Sequence, residues 1–276
     1  MSQDILVLGG TGKTGRRVAD RLQARDLPVR IGSRSGAPPF DWEDRSTWAP
    51  ALEGAAAAYV SFYPDLAVPG APEAIRELAE LALAAGCRRL VLLSGRGEEE
   101  AQRAERVLAE SGAEWTVLRC SWFMQNFSEG NFAEPIAAGE LALPAGDVRA
   151  PFVDADDIAD VAVAALTEDG HAGRVYELTG PRALTHAEVA GEIGRATGRP
   201  VRYVPITLEA FTSALAAEGL PRDVVALLGY LFSEVLVESN AGVSDGVRRA
   251  LGREPRDFAS FARDAARDGA WESVAV

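Results

Sequence analysis

Short apolar segments alternate with longer amphipathic segments along the first part of the chain. The apolar segments predict β-strands at 4–8, 28–32, 57–61, 89–94 and 115–119. The segments between them carry Ala, Leu, Arg and Glu at helical spacing and predict helices at 13–25, 46–53, 71–86 and 98–112. Because this alternation is typical of βαβ units, it predicts an α/β fold with a doubly wound parallel sheet.

The second half of the chain has a different pattern. A strand followed by a helix is predicted over 151–168, a strand over 174–178, a helix over 186–198 that Thr185 caps, and a strand over 201–204. From residue 207 onward the pattern is almost wholly helical. We therefore predict a first domain over 1–150 and a smaller, mostly helical, substrate-binding C-terminal lobe over 179–276. Residues 151–178 either extend the first domain or bridge it to the lobe.

A glycine-rich segment, GGTGKTG at 9–15, follows the first strand and opens the first helix. This is the context in which such a segment binds a dinucleotide in a Rossmann-type fold. Gly9 permits the tight turn, Gly12 lets the backbone approach a pyrophosphate, and Gly15 lets the helix pack on the strand. A P-loop would need Gly where Val7 stands, so the spacing excludes it. The predicted phosphate-binding residues are Gly9, Thr11, Gly12, Lys13, Thr14 and Gly15.

The end of the second strand predicts which cofactor is bound. No Asp or Glu stands there to bind a ribose 2'-hydroxyl, whereas Ser33, Arg34 and Ser35 suit a 2'-phosphate. NADPH/NADP+ is therefore the predicted cofactor, and the first domain its binding domain. Asp41 and Trp42 could line the adenine, or Trp42 could belong to the core.

Composition and charge narrow the function classes. The chain has 28 basic and 41 acidic side chains, which argues against nucleic acid or an anionic membrane as a partner. Residues 1–34 nevertheless hold seven basic and three acidic side chains, a basic corner that suits one small polyanion. Two histidines exclude a His-cluster metal site, and two cysteines exclude a disulfide framework. No apolar run is long enough to span a membrane, so we expect a cytoplasmic protein. We also expect it to be a monomer or a homodimer and to bind no metal.

The glycine spacing and the βα units resemble the short-chain dehydrogenase/reductase superfamily. Its Tyr–Lys catalytic pair cannot exist here, because Lys13 is the only lysine. The resemblance narrows to the atypical NmrA-like branch and to reductases of the festuclavine/agroclavine dehydrogenase type. The segments that carry it are 6–15 (LVLGGTGKTG), 40–48 (FDWEDRSTW), 88–94 (RRLVLLS), 115–127 (WTVLRCSWFMQNF), 151–162 (PFVDADDIADVA) and the run from Gly219-Leu220-Pro221 through Arg256-Asp257-Phe258. The segment Ser61-Phe62-Tyr63-Pro64 departs from that family, so the substrate need not be an ergot intermediate.

The resemblance implies hydride transfer from a nicotinamide to an iminium or a similar electrophile. An iminium carbon that accepts hydride becomes a neutral amine and needs no proton donor, which fits the absent pair. We expect a reductase of a C=N, C=O or activated C=C bond in a small hydrophobic, possibly polycyclic molecule of secondary metabolism or antibiotic biosynthesis. An atypical ketoreductase or quinone reductase, or a non-enzymatic NADP(H) sensor of the NmrA type, is the alternative.

Site residues are expected where parallel strands end. Ser61, Phe62 and Cys120 are placed near the cofactor, and Tyr63 and Ser94 are the candidate catalytic residues. Tyr63 could donate a proton or wall the pocket, and Ser94 could orient substrate or hydrogen-bond a strand end. An aromatic segment could line a substrate pocket or be ordinary core: Trp122, Phe123, Met124 and Phe127.

Overall fold

The computed structural model describes residues 4–272; residues 1–3 of the predicted first domain and 273–276 of the predicted lobe lie outside the described residues. The strands are β1 (Asp4–Leu8), β2 (Val29–Gly32), β3 (Ala55–Val60), β4 (Arg89–Gly95), β5 (Glu114–Cys120), β6 (Glu140–Leu143), β7 (Arg174–Leu178) and β8 (Arg202–Pro205). The α-helices are α1 (Lys13–Gln23), α2 (Trp48–Leu52), α3 (Ala71–Ala84), α4 (Glu99–Ala109), α5 (Ala133–Ala137), α6 (Ala155–Thr167), α7 (His186–Thr197), α8 (Leu208–Ala217), α9 (Arg222–Tyr230), α10 (Gly246–Leu251) and α11 (Phe258–Arg267).

Six of the strands between residues 4 and 272 form one parallel sheet in the order β2-β1-β3-β4-β5-β7. Successive residues of a strand face opposite sides, so Leu6 and Leu8 join a core with α2, α3 and α4, while α1 and α6 pack together as the second layer. This confirms the predicted Rossmann-type fold. The strand order reverses between β1 and β3, and in such sheets ligands bind outside the carboxyl ends of the strands at this point.

The described chain divides into two compact units. Unit 1 consists of residues 4–120, 155–178 and 245–253, and contains the large sheet. Unit 2 consists of residues 121–154, 179–244 and 254–272. This division differs from the predicted boundary at 150, because 121–154 places apolar side chains such as Phe127 and Phe152 in the core of unit 2.

Unit 1 also takes in a late segment of the chain. Around α10 the backbone lies against β7 so closely that a Cβ at Gly246 would stand 2.7 Å from the carbonyl carbon of Glu177. Arg253 then donates to Asp157 of α6 at 2.7 Å. This glycine and this ion pair attach 245–253 to the sheet domain.

Unit 2 has a core of its own and a small sheet. β6 and β8 pair in parallel, and the helices α5, α7, α8, α9 and α11 belong to this unit. α7 begins with a full capping box, in which Thr185 accepts from the N–H of Glu188 and Glu188 accepts from the N–H of Thr185. The strand β8 corresponds to the strand predicted at 201–204. The strand β6 was not predicted, because its apolar alternation covers only four residues.

Candidate cofactor and active site

The glycine loop is closed by backbone contacts that only glycine allows. Gly9 follows β1 with φ of +71°, and its carbonyl accepts from the N–H of Gly12 at 2.9 Å. A Cβ at Gly15 would lie 2.7 Å from the carbonyl carbon of Gly9 and 2.9 Å from the Cα of Gly10. The turn therefore packs directly against the first turn of α1.

No side chain in the described part of the chain caps the N-terminus of α1 at Gly12. The uncapped N–H groups and the helix dipole make this end a favourable place for phosphate oxygens. The Thr14 side chain is buried, and its Oγ1 accepts from the buried Tyr59 hydroxyl at 2.9 Å. Burial raises the pKa of Tyr59 above its usual range, so it stays a neutral donor. The backbone N–H of Thr14 lies in the uncapped first turn of α1 and suits a phosphate oxygen.

The loop after β2 presents an arginine with no competing partner. The Ser33 carbonyl accepts from the N–H groups of Gly36 and Phe40, both at 2.9 Å, which folds the loop tightly. Ser33 and Ser35 bring their hydroxyls to 3.4 Å from each other. Arg34 is exposed and makes no hydrogen bond or ion pair with any residue between 4 and 272. Its guanidinium is available to an anion.

The other arginines of the basic corner are used differently from Arg34. Arg21 donates to Asp156 and Asp160 of α6, each at 2.6 Å, and Arg17 lies 3.5 Å from Asp156. Arg25 and Arg30 also have acidic neighbours. Much of the positive charge in residues 1–34 is therefore used in ion pairs, mainly between α1 and α6, and is not available to bind a polyanion.

The FDWEDRSTW segment folds into an aromatic cluster. The Trp42 ring lies 4.9 Å from Phe40, 5.3 Å from Trp48 and 4.7 Å from Phe62, measured between centroids. Trp42 Nε1 donates to the carbonyl of Ser61 at 3.1 Å. The cluster thus holds the segment after β3 in place, with Phe62 half-buried inside it.

Asp41 has mainly structural contacts in this cluster. Its carboxylate accepts from the N–H of Glu43, and its carbonyl accepts from Trp48 Nε1 at 2.7 Å. Ser61 stands beside the glycine loop, since a Cβ at Gly9 would lie 3.1 Å from Ser61 Cβ. The ends of β1 and β3 therefore meet at the switch point of the sheet, where the sequence placed the cofactor.

The two candidate catalytic side chains differ in their surroundings. Tyr63 is 64% exposed and makes no hydrogen bond within residues 4–272. Ser94 is buried and donates to Glu105 Oε1 at 2.6 Å, and Arg119 Nε donates to the same oxygen at 3.0 Å. The Ser94 hydroxyl is therefore engaged in an ion-pair network, while Tyr63 stands in solvent.

A pair of carboxyl groups, one buried and one half-buried, lies at the same edge of the sheet and was not found from the sequence. Glu98, just before α4, is 7% exposed, and its carboxyl is within hydrogen-bonding distance of Asp65 from the segment after β3. Burial raises the pKa of Glu98, and the Asp65 charge raises it further. Cys120, at the end of β5, is also buried, and burial together with Glu98 raises its pKa. The one signal for this pair in the sequence is that Glu98 follows the end of β4 and two glycines, Gly95 and Gly97.

Of the four aromatic-segment candidates in unit 2, two lie in its core. Met124 and Phe127 are each 1% exposed, and the Phe127 ring packs on Phe152 and Phe258 at centroid distances of 5.3 and 5.7 Å. Trp122 and Phe123 are half-buried. These two retain surface that a ligand could contact.

Neither a metal-binding cluster nor a membrane-spanning helix is present among residues 4–272. No group of His, Cys, Asp and Glu among residues 4–272 is arranged to hold a metal ion. Within the same residues, no helix is long and apolar enough to cross a membrane.

The Rossmann-type sheet with a glycine loop at its switch point defines a dinucleotide-binding protein. A family model described as NAD(P)H-binding matches residues 9–169, and a model described as NmrA-like family matches residues 99–257. The chain belongs to the NmrA-like family and has an NAD(P)H-binding domain, as the sequence resemblance implied.

Named relatives agree with this assignment. The chain is 35% identical to the NAD(P)H azoreductase of Xenophilus azovorans, over 94% of this chain and 96% of that protein. It is 34% identical to the agroclavine dehydrogenase of Claviceps fusiformis, again over 94% and 96%. An NADPH-dependent quinone oxidoreductase from Escherichia coli, solved with NADPH, shares the fold with a TM-score of 0.77 and 24% identity, over 94% of this chain and 99% of that one. The chain is thus a member of a family of NAD(P)H-dependent reductases.

Proposed function

We propose that this protein is an NADPH-dependent reductase of an electrophilic double bond in a small hydrophobic molecule. The observation that carries the proposal is the pairing of an uncapped helix end behind the glycine loop with the unpartnered guanidinium of Arg34. The first suits a pyrophosphate and the second a 2'-phosphate, and NADPH has both groups. When bound, NADPH supplies the hydride from its nicotinamide ring.

The residues proposed to hold the cofactor lie along the carboxyl ends of β1, β2, β3 and β5. The loop glycines and the N–H groups of Thr11, Lys13 and Thr14 face the pyrophosphate. Arg34 with the Ser33 and Ser35 hydroxyls binds the 2'-phosphate, and Asp41 and Trp42 stand beside the adenine. Ser61, Phe62 and Cys120 form the floor on which the nicotinamide end is positioned. Positioning and exclusion of water then supply much of the rate enhancement.

The bond reduced is proposed to be C=N, C=O, activated C=C or the azo N=N that the name of one relative suggests. Trp122 and Phe123 are the proposed aromatic contacts of a flat substrate, because both residues are only half-buried. Tyr63 is a proposed hydrogen-bond donor to the substrate. Ser94 is proposed to stabilise the site through Glu105 and not to contact the substrate.

The cofactor part is tested by calorimetric titration with NADPH and with NADH. Arg34→Ala is expected to weaken NADPH binding about 10- to 100-fold, since a charge-assisted hydrogen bond contributes about 1.5–3 kcal/mol. NADH binding should change less than about threefold. Arg25→Ala is the matched control, because Arg25 follows the far end of α1 and lies 3.8 Å from Glu168. Equal losses for both nucleotides in Arg34→Ala would refute the assignment.

The reductase part is tested by NADPH oxidation with an iminium salt, a quinone and an azo dye as probes. Turnover with at least one probe is expected. Tight NADPH binding without oxidation by any of the three would favour the sensor alternative and contradict the proposal.

A further inference from the structure

A carboxyl group lies folded over the end of β4. Gly95 ends this strand, and its missing side chain leaves the space that the Glu98 carboxyl occupies, since a Cβ there would overlap it. Gly95 pairs in register with Cys120 of β5, and the charge of Glu98 raises the pKa of that thiol. Glu98 is therefore held at the carboxyl edge of the sheet between β3 and β5, where reactants bind in this fold.

Glu98 shares its position with a second carboxyl. Asp65 reaches it from the segment after β3, and Asp65 Oδ1 also accepts from the N–H of Ala67 at 2.8 Å. The other titratable groups that face Glu98 are Glu105 of α4 and Cys120 of β5. No cation within residues 4–272 contacts either carboxyl of the pair.

Two carboxyls at hydrogen-bonding distance, one of them buried, cannot both ionise at low cost, so the pair retains a proton. Burial raises the pKa of both groups. Asp65 is only half-buried, whereas Glu98 is almost wholly enclosed. The proton is held on the enclosed partner, and Asp65 connects it to solvent.

One oxygen of Glu98 accepts no hydrogen bond from a described donor. Glu98 Oε2 is buried, and the side chain at hydrogen-bonding distance from the Glu98 carboxyl is Asp65, another carboxyl. A buried polar atom without a donor costs free energy, and at the reactive edge of the sheet such a carboxyl is suited to a ligand that takes up the proton it shares with Asp65.

We propose that Glu98, sharing a proton with Asp65, is the proton donor of the reductase. The inference rests on the proposed function, which supplies the hydride. In the step, hydride adds its electron pair to the electrophilic atom, and the π electrons move to the neighbouring oxygen or nitrogen. The Glu98 O–H bond breaks and its proton bonds to that atom. The substrate gains two electrons, NADPH is oxidised to NADP+, and the Glu98 carboxylate regains a proton from water through Asp65. Glu98 would then donate the proton in place of the tyrosine of the Tyr–Lys pair, which this chain lacks.

The test compares substrates that do and do not need the proton. Menadione and methyl red take up one proton with each hydride, whereas an N-methyl-3,4-dihydroisoquinolinium salt takes up hydride alone. Glu98→Gln keeps the shape of the side chain and removes the proton, and Glu99→Gln is the matched control, because Glu99 is its exposed neighbour. A general acid contributes about 100-fold or more, so kcat of Glu98→Gln with the proton-requiring probes should fall by about that factor. Its kcat with the iminium should stay within about threefold, and Glu99→Gln should match the wild type with all probes.

A readout that does not depend on turnover is the infrared carbonyl band of a protonated carboxyl at pH 7. It is expected in the wild type and in Glu99→Gln, and should be lost in Glu98→Gln; its absence from the wild type would overturn the proposal. Asp65→Asn removes the neighbouring charge and should move the alkaline limb of the pH–rate profile to lower pH, and an unmoved limb would count against the shared proton.

Loss of the Glu98 role and loss of the reductase function would give different experimental results. Turnover of all probes with equal losses in Glu98→Gln overturns the role of Glu98 and leaves the reductase standing. No turnover by the wild type, with the infrared band present, overturns the proposed function, and the donor role falls with it.

Discussion

Replacing Gly15 by alanine tests the close approach that forms the cofactor loop. In a helix interior, Gly→Ala normally stabilises by about 1 kcal/mol. At Gly15, however, the new Cβ would lie 2.7 Å from the carbonyl carbon of Gly9 and 2.9 Å from the Cα of Gly10. Both atoms are backbone, so no side chain can rotate away, and the turn itself must move.

Overpacking of this kind costs about 1–3 kcal/mol or more. We therefore expect Gly15→Ala to lower the free energy of unfolding by about 1–2 kcal/mol and to weaken NADPH binding at least about tenfold, because the displaced turn carries the phosphate-binding N–H groups. Urea denaturation followed by circular dichroism measures the first effect, and calorimetric titration measures the second.

Gly191 provides the control, since it lies inside α7 and a Cβ there would meet only Arg195 Nη1, at 3.7 Å. Gly191→Ala should stabilise by about 0.5–1 kcal/mol. The reasoning is refuted if Gly15→Ala is as stable as the wild type and binds NADPH equally well.

Two further substitutions test buried polar groups. His186 is 1% exposed, its Nδ1 is without a hydrogen-bond partner among the described residues, and burial lowers its pKa from 6.5 to about 4. Because the folded pKa lies below the unfolded one, the wild type should lose about 1.4 kcal/mol of stability per pH unit relative to His186→Phe as the pH falls from about 6.5 to about 4, measured by urea denaturation; parallel stability curves would contradict this. Ser94→Ala removes a donor to Glu105 and should cost about 1–3 kcal/mol of stability with kcat changed less than about threefold. A 100-fold loss of kcat at unchanged stability would instead make Ser94 catalytic.

Much of the sheet domain could be predicted from local patterns. Buried parallel strands are short apolar runs, and the glycines at 9, 12 and 15 have a steric reason that the structure confirms at Gly9 and Gly15. The unpartnered state of Arg34 agrees with its predicted role in binding a 2'-phosphate.

What could not be predicted depends on contacts between distant segments. Arg21 pairs with Asp160, which lies 139 positions further along the chain. Because this partner could not be seen in the sequence, Arg21 was counted in a basic corner, whereas the structure places it in an ion pair between two helices. Attachment of 245–253 to unit 1 depends on Gly246 and Arg253, for which the helical pattern gives no signal. An aromatic run cannot by itself separate core from pocket, and burial now separates Phe127 from Trp122.

The Asp65–Glu98 pair was missed for the same reason. Glu98 begins a run of three glutamates, a pattern typical of an exposed first helical turn. Only the absence of a side chain at Gly95 and the approach of Asp65 turn its carboxyl inward.

The most direct test of the central claim is transfer of deuterium from NADPH labelled at nicotinamide C4. With the iminium probe, the protein should move the label from the cofactor to the reduced carbon, where the C–D bond does not exchange with water, and single-turnover NADPH oxidation should show a primary isotope effect. Reduced iminium without deuterium when both C4 positions carry the label, or labelled NADPH that remains bound and unoxidised with all three probes, would contradict the assignment of this protein as an NADPH-dependent reductase.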